Sequence, residues 1–374
     1  MTELTKKSGR SVMSLALEAC RGSVDDAGMN LSEVDGVISY GFNNDSVSSQ
    51  AVATALGLPA PRYLVTTEMG GQAPCFLIMQ AAAAIEAGLA DNVLVYRALN
   101  GRSGQRVGTA KVPGTGPMMR YPAGLVAYPQ IIAMWARRYL IETGRDESDL
   151  AAVVSAQRLW AVDNERAMRR TLMSEQDYAR SPMVADPFRA ADCTTEADGA
   201  CAILVTSRRR ALDLRHDPVV IEGAAYGTGK RSGLDAGDAM LWPDLTRNYT
   251  THIAEQLWSS AGMGPRDVDM AQLYDCFSSS VLLALEGLGL AERGEAGRLV
   301  SSGATVPGGR LPVNTGGGLL AEGYLHGMNT VYEAVSQLQG SAGKRTVPDA
   351  RSCVVTSGAL TDGSALVLTR ETRN

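Results

Sequence analysis

Acid–base or acyl chemistry in this chain falls mainly to tyrosine, aspartate, glutamate or cysteine. Histidine occurs only at His216, His252 and His326. The six cysteines (Cys20, Cys75, Cys193, Cys201, Cys276 and Cys353) lie far apart without a CxxC pair, so neither a zinc site nor a disulfide framework is expected. Two tyrosines stand out. Tyr274 closes a predicted strand, Met270–Tyr274, at the end where α/β proteins place active groups, and Asp275-Cys276-Phe277 follow it. Tyr324 sits in the run Asn314-Thr-Gly-Gly-Gly-Leu-Leu-Ala-Glu-Gly-Tyr-Leu-His-Gly-Met328. A phenol titrates near pH 10 when unperturbed, and works as a base or acid if neighbouring donors or cations lower that value. An ordinary core tyrosine is the plainer reading of either residue. Gly70-Gly71 lets a ligand approach the backbone, whose N–H groups could hold an enolate or thioester oxygen; a tight strand-to-helix turn explains the pair equally well. Cys75, one helical turn further on, reads as a buried structural thiol or a displaced nucleophile.

Strands alternating with helices must position these residues. The first alternation predicts helices over Ser11–Met29, Ser46–Leu56 and Pro74–Ala87, and strands over Val37–Tyr40, Tyr63–Thr67 and Asn92–Tyr96. A stretch from about 100 to 190 breaks the rhythm with loops and with helices at Ala127–Thr143 and Glu147–Val162, and reads as an inserted loop domain. A strand at Ala200–Val205 resumes the sheet. The second alternation runs through Val219–Gly223, Asn248–Ala261, Met270–Tyr274, Ser279–Leu288 and Gly327–Gln339 to paired strands at Ser352–Ser357 and Ser364–Thr369. Periodicity alone gives an α/β chain of two halves, 1–215 and 216–374.

At 374 residues the chain can bury a large core, and its 45 % hydrophobic and 20 % charged residues are ordinary for a soluble globular protein. The net charge of −5 argues against a general nucleic-acid binder. No apolar run is long enough for a membrane span and no signal peptide opens the chain, so a cytoplasmic location is expected.

The glycine-rich run resembles that of thiolases of the sterol-carrier-protein-x type, in which Gly-His-Pro follows Asn-x-x-Gly-Gly; here the tripeptide reads Gly323-Tyr324-Leu325. Leu273-Tyr274-Asp275-Cys276-Phe277 is similar to the family's His-Asp-Cys-Phe segment with the histidine again replaced by tyrosine. Counted back from Ile85-Glu-Ala-Gly88, the nucleophilic cysteine's position falls on Gly71, and the second cysteine's segment reads Val355-Thr-Ser357-Gly358. Ala87-Gly-Leu-Ala-Asp91, Val95-Tyr-Arg97, Arg102-Ser-Gly104, Asp186-Pro187, Asp192-Cys193 and Asp198-Gly-Ala200 extend the likeness over essentially the whole chain. With both catalytic histidines replaced and the cysteine gone, the chain resembles the lipid-transfer-protein-type steroid side-chain aldolases.

That resemblance implies a thiolase fold, with duplicated βαβαβαββ halves layered α-β-α-β-α and the loop domain inserted in the first half. It implies retro-aldol cleavage of a β-hydroxyacyl-CoA, a 17-hydroxy steroid side-chain thioester giving a 17-ketosteroid and propionyl-CoA. Tyr274 and Tyr324 would share the proton transfers, with Gly70, Gly71, Asp275, Gly317, Gly318 and His326 around the substrate. His326 is placed either to polarise Tyr324 or to cap the following helix, and the capping role is preferred. Asp275 and Glu322 are expected to orient the site or its loop rather than to act as bases. No metal or separate cofactor is expected, CoA being part of the substrate. A homodimer and an OB-fold or hydratase companion are implied as partners. Two rivals stand beside this reading: a thiolase or acyltransferase using Cys75 or Cys276, and a non-catalytic lipid-binding or scaffold subunit. The resemblance also suggests that a first strand, central in the N-terminal sheet, is missing, and a start placed too late is the preferred explanation.

Overall fold

The computed structural model describes residues 1–104, 106, 118, 120–229 and 242–372. Local chemistry sets the first helix, α1 (Val12–Ala27). Ser11 caps its N-terminus by accepting from the Ser14 N–H, and Gly28 ends it at φ 73°, a left-handed turn that favours glycine. Its buried residues, Leu15, Ala16, Ala19, Cys20 and Val24, recur at helical spacing and form one apolar stripe.

The first sheet contains β1 (Gly36–Gly41), β2 (Tyr63–Glu68), β3 (Asn92–Asn100) and β4 (Asp198–Thr206), in the order β2-β1-β3-β4. β1 pairs in parallel with β2 and β3, whereas β4 runs antiparallel to β3. This corrects the expectation of a missing middle strand. β1 fills the space between β2 and β3, and the opening residues lie at the far edge. There the Thr2 N–H donates to Ala200 O at 2.9 Å, and Thr5 and Asp198 exchange backbone bonds in antiparallel sense.

The second sheet holds β5 (Val219–Thr228), β6 (Met270–Gln272), β7 (Ser352–Ser357) and β8 (Asp362–Arg370), ordered β5-β8-β7-β6. Val313 adds a parallel bridge beyond β6, at Ala271. With residues 2–5 and Val313 counted as rudimentary strands, both sheets follow one plan: third, second, fourth, fifth, first, with the fifth antiparallel to its neighbours. The duplication inferred from the sequence is therefore a duplication of topology.

Alternation along the strands builds the layers. Val37, Leu94, Tyr96 and Ala200 pack outward under α1 and α2 (Ser49–Leu56). Ile38, Tyr40, Val93 and Val95 face inward onto α3 (Ala73–Glu86), whose sequence is apolar on nearly every side, as a helix buried between two sheets requires. The excursion between β3 and β4 carries α4 (Tyr128–Thr143) and α5 (Glu147–Ala161), and part of the expected loop domain (105, 107–117 and 119) lies outside the described residues. In the second half, α6 (Thr250–Ala261) covers β5 and β8, and α7 (Ser278–Gly287) packs on α6. The short α8 (Gly318–Ala321) precedes α9 (Met328–Leu338), which lies beside α3 in the middle layer, giving five layers in all. Among the described residues no helix is long and apolar enough to cross a membrane.

Candidate active site

The strand expected to end at Tyr274 ends at Gln272, and two backbone anchors carry the chain onward. The Leu273 N–H donates to Asn314 Oδ1 at 2.6 Å, and the Tyr274 N–H to Thr356 Oγ1 at 2.9 Å. Tyr324 enters from the glycine-rich loop, held by its N–H on Thr195 O at 2.8 Å. The two phenol oxygens meet at 2.8 Å, with the rings crossing at 68°. A separation of 50 residues in sequence thus becomes one hydrogen bond.

Glycines make room for this pair. A Cβ built on Gly71 would fall on the Tyr274 phenol oxygen, and one on Gly327 would come within 2.7 Å of the Tyr274 ring. Gly70 and Gly71 form the turn before α3, and neither has positive φ. The physical reason for glycine at 71 is volume: the phenol occupies the place of a side chain.

Both phenols line a cavity of about 360 Å³ with Gly70, Gly71 and His326. Phe42, Met69, Tyr128, Ile132, Phe277 and Leu360 add apolar walls, so both halves and α4 contribute. That size lies in the ordinary range for small-molecule sites. Burial pushes both tyrosines well above the usual phenol range, Tyr274 further still through its neighbour Tyr324. The condition set for a phenol acting alone, a value lowered by donors or cations, is not met. Desolvation outweighs the Arg97 guanidinium, whose pull on Tyr324 is the weaker effect.

His326 does not cap the following helix, whose N-cap is Gly327. Its ring packs edge-on against Tyr324 at 5.1 Å, and its Nδ1 lies 3.0 Å from an Arg97 nitrogen. Arg97 is fully buried on β3 and pairs with the Asp45 carboxylate at 2.6 Å. Burial first, then Arg97, holds the imidazole down to about 3, so it is neutral at physiological pH. A guanidinium only donates, hence Nδ1 accepts and the ring proton belongs on Nε2.

Asp275, Gly317 and Gly318 are not among the residues lining the cavity. Asp275 instead accepts the Leu319 and Leu320 N–H groups at 2.8 and 3.1 Å. Gly318, at φ 62°, leaves space for that carboxylate, which burial pushes up to about 7. Glu322 accepts from Asn164 and Asn329 and pairs with Arg166 behind the loop.

Neither thiol offers a ready nucleophile. Cys75 is fully buried outside the cavity lining, accepts from the Ser357 hydroxyl at 3.2 Å, and is pushed up to about 12 by burial. Cys276 borders the cavity, but burial pushes it to about 12 as well, with Ser280 Oγ at 3.4 Å. Both thiols stand at helix starts, Cys75 in the first turn of α3 and Cys276 just before the N-cap of α7, but burial outweighs that favourable placement.

Several wall residues were not singled out from the sequence. Tyr128 opens α4, and Asp362 opens β8 with its carboxyl raised by burial. Arg97 carried a readable signal, a lone charge within the otherwise apolar strand Val-Leu-Val-Tyr-Arg-Ala-Leu. Asp45 offered none.

Comparison with known proteins gives the family. Residues 233–370 match the family described as "Thiolase C-terminal domain-like". The chain is 38 % identical to 17-hydroxy-3-oxo-4-pregnene-20-carboxyl-CoA lyase of Mycobacterium tuberculosis, over 98 % of this chain and 96 % of that protein. It is 36 % identical to the steroid side-chain-cleaving aldolase of Thermomonospora curvata, over 98 % and 95 % respectively. The solved structure of the Ltp2-ChsH2(DUF35) aldolase superposes with a TM-score of 0.92 at 35 % identity, covering 100 % of this chain and 96 % of that one. The chain therefore belongs to the thiolase superfamily, in the lipid-transfer-protein-type branch of steroid side-chain-cleaving aldolases, and is a carbon–carbon lyase.

Proposed function

We propose that the protein cleaves the side chain of a 17-hydroxy steroid CoA thioester to a 17-ketosteroid and propionyl-CoA, with Tyr274 and Tyr324 acting as a proton relay. The observation that carries this reading is the 2.8 Å hydrogen bond between the two phenols at the wall of an otherwise largely apolar cavity. A retro-aldol step moves one proton from the hydroxyl oxygen to the carbon that leaves. The alcohol O–H breaks and its electron pair becomes the ketone π bond. The carbon–carbon pair passes into the thioester enolate, and the relay then returns a proton to the enolate carbon. Proton count and oxidation level balance without a nucleophile or redox partner.

Raised phenol pKa values fit such a relay. One phenol gives up its proton as it takes another, so no free phenolate need accumulate. A base standing alone would need a lowered value, whereas a hydrogen-bonded pair needs proximity and alignment.

The companion and the dimer belong to the same proposal. The neighbouring solved structure is that of a two-component aldolase, which supports a companion subunit here. β2 lies at an open edge of its sheet with Leu64 37 % exposed, a surface suited to pairing with a second copy.

The test is mass spectrometry of a 17-hydroxy steroid-CoA incubated with the protein and its companion, beside Tyr274→Phe and Tyr324→Phe. Each variant is expected to lose about 10²–10⁴ in turnover, the usual worth of a general acid or base. Near-normal cleavage by either folded variant would remove the relay.

A further inference from the structure

The relay accounts for the proton and leaves the negative charge unassigned. As the carbon–carbon bond breaks, its electron pair moves onto the thioester oxygen. That oxygen needs a donor already in place, in a cavity whose walls are mostly apolar. The phenols share one hydrogen bond, and the O–H left over is taken by the substrate hydroxyl in the relay. His326 borders the same cavity, next to Tyr324.

Its setting is unusual in three respects. His326 has left-handed backbone, φ 54°, rare for a non-glycine residue, and its carbonyl is held by the Tyr40 hydroxyl at 3.1 Å. Its ring is caged by Tyr40, Phe42 and Tyr324, with centroids 6.2, 5.8 and 5.1 Å away. Behind it stands a cation that no exposed ion pair explains. Arg97 is wholly buried and donates to Asp45 (2.6 Å), the Tyr40 and Ala98 carbonyls (3.2 and 3.3 Å) and His326 Nδ1 (3.0 Å). Burying a charge is costly; both terminal nitrogens of Arg97 are bonded while its buried Nε has no partner among the described residues, and a buried cation in contact with a cavity-lining histidine marks a functional site.

We infer that His326 is a neutral hydrogen-bond donor whose Nε2–H holds the thioester oxygen as it becomes an enolate, with Arg97 and Asp45 fixing the tautomer and backing the donor with positive charge. His326 is then a catalytic residue, and Arg97 and Asp45 are positioning residues that act through it. A neutral imidazole suits this task because it donates without delivering a full proton that would quench the enolate on oxygen. The inference rests on the retro-aldol reading, and it adds a role for the first half of the chain: Arg97 and Asp45 belong to the first sheet and its loop, whereas both phenols belong to the second half.

Solvent exchange isolates this step. The protein is incubated with propionyl-CoA in D₂O and deuterium at the α carbon is followed, because exchange requires the enolate and no carbon–carbon cleavage. His326→Met keeps the bulk and removes the N–H, whereas His326→Gln restores an N–H; both meet the same backbone strain. His326→Met is expected to lower both exchange and cleavage turnover by about 10²–10³, with KM nearly unchanged, while His326→Gln recovers most of the loss. Arg97→Lys should fall between them, keeping the charge and losing the fork. Wild-type exchange in folded His326→Met, or equal impairment of the Met and Gln variants, would overturn the donor role while leaving the aldolase reading intact. A folded, partnered wild type that neither exchanges propionyl-CoA nor cleaves the steroid thioester would overturn both.

Discussion

Gly71 is the residue on which the site turns, because the Tyr274 phenol stands where its side chain would be. Gly71→Ala is expected to push the phenol away from Tyr324 and lower turnover about as far as Tyr274→Phe, at a stability loss of about 1–3 kcal/mol from overpacking. Combined with Tyr274→Phe it should add little further loss of activity, since both changes break one relay. Steady-state turnover and melting of the three variants decide this, and strictly multiplicative losses would count against it. His326 makes a second prediction, about pH. Its folded value near 3 lies below the unfolded value of about 6.5, so between those limits the unfolded state binds more protons. Stability therefore falls as pH drops from about 6.5 towards 3, by up to about 1.4 kcal/mol per unit, and is unaffected by this group above 6.5. Asp275, raised to about 7, acts in the opposite sense between about 4 and 7, so the effect is read as the difference between wild type and His326→Gln. Parallel stability curves for the two proteins would refute it. The tyrosine pair was legible in the sequence, because two substitutions fell at two motif positions. The Arg97–His326 contact was not, since 229 residues separate its partners and no local pattern couples them.

The glycine-rich loop depends on one carboxylate. Asp275 spends both oxygens on the first turn of α8, tying Tyr274's segment to the loop that presents Tyr324. Asparagine offers a single acceptor oxygen, so Asp275→Asn should leave one buried N–H unsatisfied. The expected loss is about 1–3 kcal/mol of stability, together with reduced turnover as the phenols lose alignment. Calorimetry checks the first part, and an unchanged melting temperature would mean that the loop stands without this anchor. Element positions were largely readable: β7 begins and ends where alternation places it, and α3 and α5 agree within a residue or so at each end. Short elements escaped, among them Ala296–Ser301 and α8, because a single turn shows no period. The expected central gap in the first sheet was an error of strand order, which spacing along the chain does not encode.

For the whole molecule, the two half-sheets share α3 and α9 as a common middle layer, and the cavity opens where the halves meet. The layered plan was legible from alternating elements and from the uniform apolarity of α3, whereas the lining supplied by α4 was not, because that helix lies in the excursion between β3 and β4. Dimerisation belongs at this scale. If two copies pair through the β2 edge, Leu64→Glu places a charge on the joint and should shift the protein to monomer. Light scattering reads the mass, and an undiminished dimer would place the interface elsewhere.

The shared volume at Gly71 and Tyr274 also limits substitution. A thiol at position 71 and a phenol from position 274 compete for one space, so the two chemistries are alternatives that no single chain can hold together. A cysteine placed at 71 in the present packing meets the Tyr274 ring. In this packing a thiol at position 71 requires at least two changes, one to introduce the cysteine and one to clear the phenol from its space.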